Sequence, residues 1–377
     1  MKEIELIATC AAGIEAMVKR EVLNLGFKDI MTENGKVTFK GDLSSIAKAN
    51  IHLRCADRVL LKMGEFEALS FEELFEKTKA LPWDEWITVD GKFTVLGKSV
   101  KSKLFSISDC QAIVKKAVVE KLKSKYNVEW FKETGPEYTI QVSLLKDIAT
   151  LTIDTSGTAL HKRGYRERIV TAPIKETLAS AMIMISYWNK TKPLLDCFCG
   201  SGTIPIEAAL IGKNIAPGLN RSFASQEWPI IDKSIWKEEK RIALQAIDQD
   251  VNLKIYASDI DAEAIELAKE NAFEAGVDDC IEFSVCDFKD VKIKEDYGVI
   301  ISNPPYGERI SEKKEVENLY RDLGKTFKNY PTWSKYFITS IEEFEKFYGK
   351  KANKKRKLYN GNIKVDYYQF FGLKPPK

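Results

Sequence analysis

Pro193-Leu194-Leu195-Asp196-Cys197-Phe198-Cys199-Gly200-Ser201-Gly202-Thr203 is the stretch on which the reading of the whole chain turns. An apolar run ends in an acid and a glycine turn, the pattern of a buried strand that delivers its loop to the edge of a parallel sheet. Further along, Val299-Ile300-Ile301-Ser302-Asn303-Pro304-Pro305-Tyr306-Gly307 repeats the pattern with a different ending. An amide, two prolines and an aromatic ring continue neither strand nor helix. The two loops read as a cofactor loop and a substrate loop of one sheet.

The residues around them support that sheet. Strands are predicted at 193–197, 253–258, 281–286, 297–302 and 335–340, with helices at 203–211, 262–275 and 315–329. Strand–helix alternation of this kind builds a mostly parallel, right-handed α/β sheet that binds ligands at the carboxyl ends of its strands. Gly212–Asp250 reads as a long insertion, and Lys357–Tyr359 with Lys364–Phe371 as a terminal hairpin around Asn360-Gly361.

Upstream, the pattern is α+β. A strand at 4–10, a helix through Ile14–Leu23, a hairpin around Asn34-Gly35 and a helix opened by Asp42 form a first small unit. A second follows: a strand from Arg58, a helix opened by Ser70, a strand at 92–98, a helix capped by Ser108 and Asp109, and strands at 138–145 and 148–154. The first unit covers residues 1–60, and the boundary to the last domain falls near residues 155–165.

Composition narrows the function classes. A chain of 377 residues suits two or three domains, and 44% hydrophobic with 30% charged residues is globular composition. The formal charge of +3 is near balance, so contact with nucleic acid must come from local patches. Seven cysteines, of which only Cys197 and Cys199 are close, lack the paired spacing of a metal site, and two histidines add little. Reduced thiols, no metal, no membrane segment and a cytoplasmic location are the expectation.

The loop chemistry is specific. Gly200 and Gly202 let backbone approach a ligand where a helix begins, with Asp196 before them and Thr203 after. Pro205 stands where the dinucleotide fingerprint needs its third glycine, which favours a nucleoside without phosphates. Asp259 follows the next strand and can hold ribose hydroxyls, while Asp261 suits the cap of the helix after it. Asp287 and Phe288 end a third strand, where the acid can accept from an adenine amine and the ring can cover the base. Asn303 and the Pro304 carbonyl can both accept from an exocyclic NH2, holding its lone pair toward an electrophilic methyl. Tyr306 can stack on a base drawn out of its helix.

These stretches carry a family resemblance. His161–Arg166, Ala172–Leu178, Asp196–Thr203, Ser258–Asp261, Asn303–Arg309 and Lys357–Gly361 resemble class I S-adenosylmethionine-dependent methyltransferases of the N-P-P-Y type. The whole chain is similar to THUMP-domain RNA methyltransferases, particularly the guanine-N2 methyltransferase module of the bacterial large-subunit rRNA enzyme RlmL. The resemblance implies a Rossmann-like α/β domain with a mostly parallel seven-stranded sheet at residues 156–377, preceded by α+β ferredoxin-like (residues 1–50) and THUMP (residues 51–155) domains. It implies S-adenosylmethionine as cofactor, held by Asp196, Gly200, Gly202, Thr203, Asp259, Asp287 and Phe288. Asn303, Pro304, Pro305 and Tyr306 would be catalytic. Structured RNA, foremost 23S rRNA, would be the substrate, modified at guanine N2; the alternatives are tRNA or adenine N6 as the target, or a non-catalytic RNA-binding protein with a relict cofactor domain. Lys98, Lys101, Lys103, Lys115 and Lys116, with Arg163 and Arg166 of the connector, would contact the RNA. Nucleotide and oligomeric state stay open.

Overall fold

A computed structural model describes residues 3–166, 174–306 and 313–376. The chain divides into two compact units. The first gathers the residues up to Thr9, then Lys19–Leu160 and Arg221–Ile242; the second holds Cys10–Val18, His161–Asn220 and the chain from Ala243.

Four helices, α1 (Glu15–Asn24), α2 (Leu43–His52), α3 (Phe71–Lys79) and α4 (Ile107–Tyr126), alternate with the first seven strands. These are β1 (Ile4–Thr9), β2 (Lys28–Glu33), β3 (Lys36–Gly41), β4 (Arg58–Glu67), β5 (Lys92–Val100), β6 (Glu137–Leu145) and β7 (Ile148–Asp154). The strands form one sheet in the order β2-β3-β1-β4-β7-β6-β5, antiparallel except for the β5–β6 pair. Asn34-Gly35 turns the β2–β3 hairpin with Gly35 at φ +75°, as its sequence requires. Asp42 caps α2 by accepting from the Ser45 N–H at 3.1 Å. Ser108 and Asp109 do not cap α4: the helix starts at Ile107, with Ser106 before it, and both lie in its first turn. The reason is visible in the burial of Cys110, Val114, Ala117 and Val118, whose apolar stripe is served by an earlier start.

Residues 221–242, read as an insertion, pack within the first unit. Trp228 is fully buried, its ring stacked on Tyr138 at 5.0 Å and edge-on to Trp86 at 6.4 Å. Its indole N–H donates to the Glu137 carbonyl at 3.2 Å.

In the second unit the helices are α5 (Glu176–Ile185), α6 (Thr203–Gly212), α8 (Ala262–Glu274), α9 (Lys313–Lys328) and α10 (Phe344–Tyr348), while α7 (Lys233–Gln245) runs out of the first unit into it. The strands are β8 (Leu194–Asp196), β9 (Ile255–Asp259), β10 (Ile281–Val285), β11 (Val299–Ser302), β12 (Ser334–Thr339), β13 (Lys354–Asn360) and β14 (Ile363–Phe370). Their order is β10-β9-β8-β11-β12-β14-β13, parallel through β12 and antiparallel for the terminal hairpin. The expected strands, helices and closing hairpin of this half are all present. An aromatic core of Tyr320, Phe327, Phe337, Phe344 and Tyr368 packs on one face of the sheet. The helix start at Ala172-Pro173 and the Gly307-Glu308-Arg309 stretch lie outside the described residues.

Replacing Trp228 with alanine should cost about 3–5 kcal/mol of local stability, the usual range for a buried Trp. Faster hydrogen exchange in the β6 amides, with those of β8–β12 unchanged, is the expected readout.

Candidate active site

The site is built where β8 and β11 lie side by side. β8 is only three residues long, all buried, and pairs with β9 on one side and β11 on the other. Their carboxyl ends therefore open together, and Ser302 ties them: its hydroxyl accepts from the Cys197 N–H at 3.1 Å and lies 3.5 Å from Cys197 Sγ. Ser302 was not singled out by its sequence position, although a lone buried serine ending an apolar strand is a signal that it satisfies something.

The glycine loop is shaped by its neighbours. Cys199 N–H donates to the Ser258 carbonyl at 3.0 Å, and Gly202 N–H to the Cys199 carbonyl at 2.8 Å. Gly200 N–H donates to Asp259 Oδ2 at 2.9 Å. Gly202 sits at φ +83°, and a Cβ there would meet Ala268 at 3.0 Å. A Cβ on Gly200, at φ +49°, would meet nothing within 4 Å, so this stretch of backbone faces open space and can be approached by a ligand.

Asp196 is 1% exposed. Burial pushes its carboxyl up to about 7, with the nearby Asp259 adding to the rise and bonds from Ser302 and Phe198 opposing it. Its Oδ2 is buried without a hydrogen-bond partner, as is the Ser258 hydroxyl beneath the loop. Orphaned buried acceptors beside a bare glycine backbone fit a polar, cationic ligand end.

Asp259 already holds two backbone donors, Gly200 N–H on Oδ2 and Asp261 N–H on Oδ1 at 3.1 Å. A carboxylate accepts about four bonds, so it keeps room for hydroxyls. Asp261 caps α8 by accepting from the Glu263 N–H at 2.9 Å. Asp287 Oδ1 accepts from the Lys289 N–H at 3.0 Å, bracing the turn after β10. Phe288 corrects its expected role. It is 4% exposed, lies against Phe198 at 5.2 Å and Phe327 at 6.4 Å, and carries Lys289 over its ring. Its faces are covered by the protein's own side chains, so it supports the site from the core and offers no surface to a base.

In the second loop, the Tyr306 hydroxyl donates to Asn303 Oδ1. The Tyr320 hydroxyl donates to the Pro305 carbonyl at 2.8 Å and shares a bond with Thr339 at 2.8 Å. Pro304 is buried and Pro305 exposed. Burial pushes the Tyr306 phenol well up, so it stays a neutral donor.

The expected nucleic-acid contacts divide. Lys98, Lys101, Lys103, Lys115 and Lys116 are exposed in the first unit. Arg163 is not: it is 4% exposed and its guanidinium pairs with buried Glu207 at 3.3 Å, so it cannot reach a phosphate. Arg166 is largely withdrawn too, donating to the Thr203 hydroxyl and pairing with Glu176 at 3.3 Å. Thr203 itself is buried, with its hydroxyl given to Arg166. Among the described residues no group of three or more His, Cys, Asp or Glu side chains could hold a metal. No described helix is long and apolar enough to cross a membrane.

Comparison with known proteins identifies the domains that carry this site. Residues 163–369 match the RMKL-like methyltransferase domain, residues 5–60 the RlmL ferredoxin-like domain and residues 68–154 the THUMP domain. The chain is 52% identical over 380 residues to the "Putative RNA methyltransferase YpsC" of Bacillus subtilis, covering 100% of this chain and 98% of that one. It is 33% identical to the "Ribosomal RNA large subunit methyltransferase K/L" of Syntrophotalea carbinolica, where 99% of this chain spans 55% of the longer protein. The crystal structure of "SMU.472, a putative methyltransferase complexed with SAH" superimposes with a TM-score of 0.94 at 46% identity, covering all of both chains. With ferredoxin-like and THUMP modules ahead of a class I sheet, the chain belongs to the RMKL-like, S-adenosylmethionine-dependent methyltransferases.

Proposed function

We propose that the chain transfers a methyl group to the exocyclic N2 amine of a guanine in RNA, with 23S ribosomal RNA as the substrate and the cytoplasm as its location. The observation that carries this reading is the Cys197–Ser302 bond, which holds the glycine loop against the Asn303–Tyr306 loop. When bound, S-adenosylmethionine supplies an electrophilic methyl on a sulfonium. Asp196, Gly200 and Gly202 would hold its methionine end, Asp259 its ribose and Asp287 its adenine.

The aromatic amine of a base is a weak nucleophile because its lone pair is shared with the ring. Asn303 Oδ1 takes one bond from Tyr306, and a carbonyl oxygen has capacity for a second. A base N–H docking there, with the other N–H on the Pro304 carbonyl, has its lone pair aimed away from the ring plane and its growing positive charge stabilised. Tyr306 lies beside this position and offers a ring face to an extruded base. Pro305, its carbonyl anchored by Tyr320, keeps the loop in shape. The methylated amine is acidic enough to lose its proton without a strong base.

RNA as the substrate class is supported by the THUMP module, by the exposed lysines, and by what the two named relatives are said to act on. The preference for guanine N2 rests on the likeness to RlmL.

Asn303→Ala should abolish transfer and leave S-adenosylhomocysteine affinity nearly intact; parallel loss of both in single-turnover assays and calorimetry would remove Asn303 from the reaction. A strain lacking the protein should lose N2-methylguanosine from 23S rRNA in mass-spectrometric mapping. Loss from tRNA, or loss of N6-methyladenosine, would redirect the assignment. Joint substitution of Lys101, Lys103, Lys115 and Lys116 should weaken RNA binding and flatten its salt dependence, each lost phosphate contact lowering the slope by about 0.7–0.9.

Asp196 sets the pH behaviour. Its folded carboxyl titrates at about 7, above the unfolded value near 3.8. Its contribution to stability is therefore full below about pH 4 and is lost as pH rises through 7. A cationic ammonium favours the ionised form, so cofactor affinity should rise from pH 5.5 to 7.5 while ligand-free melting temperature falls. Asp196→Asn should flatten both curves, and a parent affinity independent of pH would contradict the assignment.

A further inference from the structure

The free edge of the second sheet lies away from the two loops of the site. β10 pairs with β9 in regular parallel register from Ile281 to Val285, and no described strand lies on its other side. Its outer backbone N–H and C=O groups are therefore open to a further strand. Edges of this kind are commonly blunted by proline, lysine or a bulge, and β10 carries none of them. Beside it, Phe273 of α8 stands 68% exposed, and Val285 at the end of β10 is exposed too. A groove of about 560 Å³ runs between helix and strand, lined by Phe273, Ile281 and Phe283 with Glu270, Glu274 and Asp278 beside them.

Charge selects what this edge can take. Between residues 261 and 282 the chain carries eight acids and one lysine, although its net charge is +3. Asp261 and Glu263 have a local reason, since they stand at the start of α8, where the helix dipole favours acids. Lys269 pairs with Glu266 at 2.8 Å, and Lys213 with Asp279 at 3.1 Å. Glu274, Asp278 and Glu282 have no ion-pair partner among the described residues. Glu274 even ends α8, which has no base in its last turn, the reverse of what the dipole favours. These acids do not serve the helix, and they repel phosphate. Joining two copies through β10 would bring the same acids of each together. Nucleic acid and a second copy are thus both disfavoured, and a cationic segment of another protein is favoured.

We infer that β10 accepts an added strand from a partner protein, an extended segment in which apolar residues alternate with lysine or arginine. Ile281, Phe283 and Val285 share one face of β10 and Glu282 lies on the other. An added strand in register therefore presents apolar side chains to the Phe273–Phe283 groove and a cation to Glu282. Cations flanking the segment meet Glu274 and Asp278. Main-chain bonds to the open edge supply affinity, while the groove and its acids supply selectivity.

Fluorescence anisotropy on the full chain tests this, with a labelled Lys-Val-Lys-Val-Lys-Val-Lys peptide as the probe. The probe should bind, and its Glu-Val-Glu-Val-Glu-Val-Glu counterpart should not. A peptide of the same composition with its three valines grouped at one end keeps the charge without the alternation, and should bind at least about 10-fold more weakly. Phe273→Ser, at an exposed position outside the core, should weaken the probe by about 10-fold, the loss expected for an aromatic anchor. Glu274→Lys combined with Glu282→Lys should weaken it and flatten its salt dependence. Hydrogen exchange of the β10 amides should slow when the probe binds. Equal affinity for the alternating and grouped peptides, or β10 amides left unprotected, reduces the contact to charge alone and overturns the inference, as does a probe that fails to bind. A dimer in sedimentation that Phe273→Ser dissociates would assign the groove to a second copy. RNA affinity that falls in the same variant would assign it to nucleic acid, and either result overturns the inference.

Discussion

The adjacency of β8 and β11 is the constraint on which the rest of the second unit depends. In a parallel sheet two neighbouring strands end at the same edge, so whatever follows each is delivered to one place. β8 is too short to define that edge through its own ladder, pairing only Leu194 and Leu195 with β11. The Cys197–Ser302 bond continues the pairing beyond the strand, from backbone to side chain, and so fixes the separation of the two loops. Ser302 is buried and immediately precedes Asn303. The residue that ties the loops thus directly precedes Asn303, whose Oδ1 accepts from the Tyr306 hydroxyl.

A second consequence concerns charge. α6 is buried along nearly all of its length, yet it contains Glu207. A lone buried carboxylate would be unfavourable by several kcal/mol, and pairing with Arg163 offsets that cost only when the remaining lone pairs are bonded too. Tyr165 and Ser180 fill them. A hydrophobic replacement of similar shape could be as stable, so stability does not account for the network. What it provides is position: a cationic connector is held in one register against the helix that opens the cofactor loop.

Much of this fold was legible in the sequence because its signals are local. Continuous apolar runs at 193–196 and 299–302 mark buried parallel strands, and Gly35, Gly200 and Gly202 mark turns whose positive φ few other residues tolerate. The site residues at strand ends were legible for the same reason, since topology brings those ends together. Phe288 and Arg163 were not. An aromatic after a strand has the same local pattern whether its ring faces a ligand or Phe198 and Phe327, and an arginine in a basic connector looks solvent-exposed until Glu207, 44 residues away, is seen to be its partner. The attachment of 221–242 to the first unit was hidden similarly, because Trp228 finds Tyr138 only through long-range packing.

The chemistry of Asn303 cannot by itself choose a base, since any exocyclic amine presents two N–H groups. Choice must come from surface that meets the nucleic acid elsewhere, and a chain of net charge +3 has to concentrate its cations to do so. The lysines of α4 are not equivalent in this respect. Toward its end, Lys121 and Lys125 share Asp84 at 3.5 and 3.7 Å, and Lys123 pairs with Glu129 at 3.1 Å. That half of the helix is locally neutralised. Lys101 and Lys103 stand in the loop before the helix and Lys115 and Lys116 in its first half, all exposed. The positive end of the helix dipole adds only to the loop before the helix, where Asp109 of the first turn opposes it. The cations without acidic partners therefore stand in the loop before α4 and at its middle, and those near its end are neutralised.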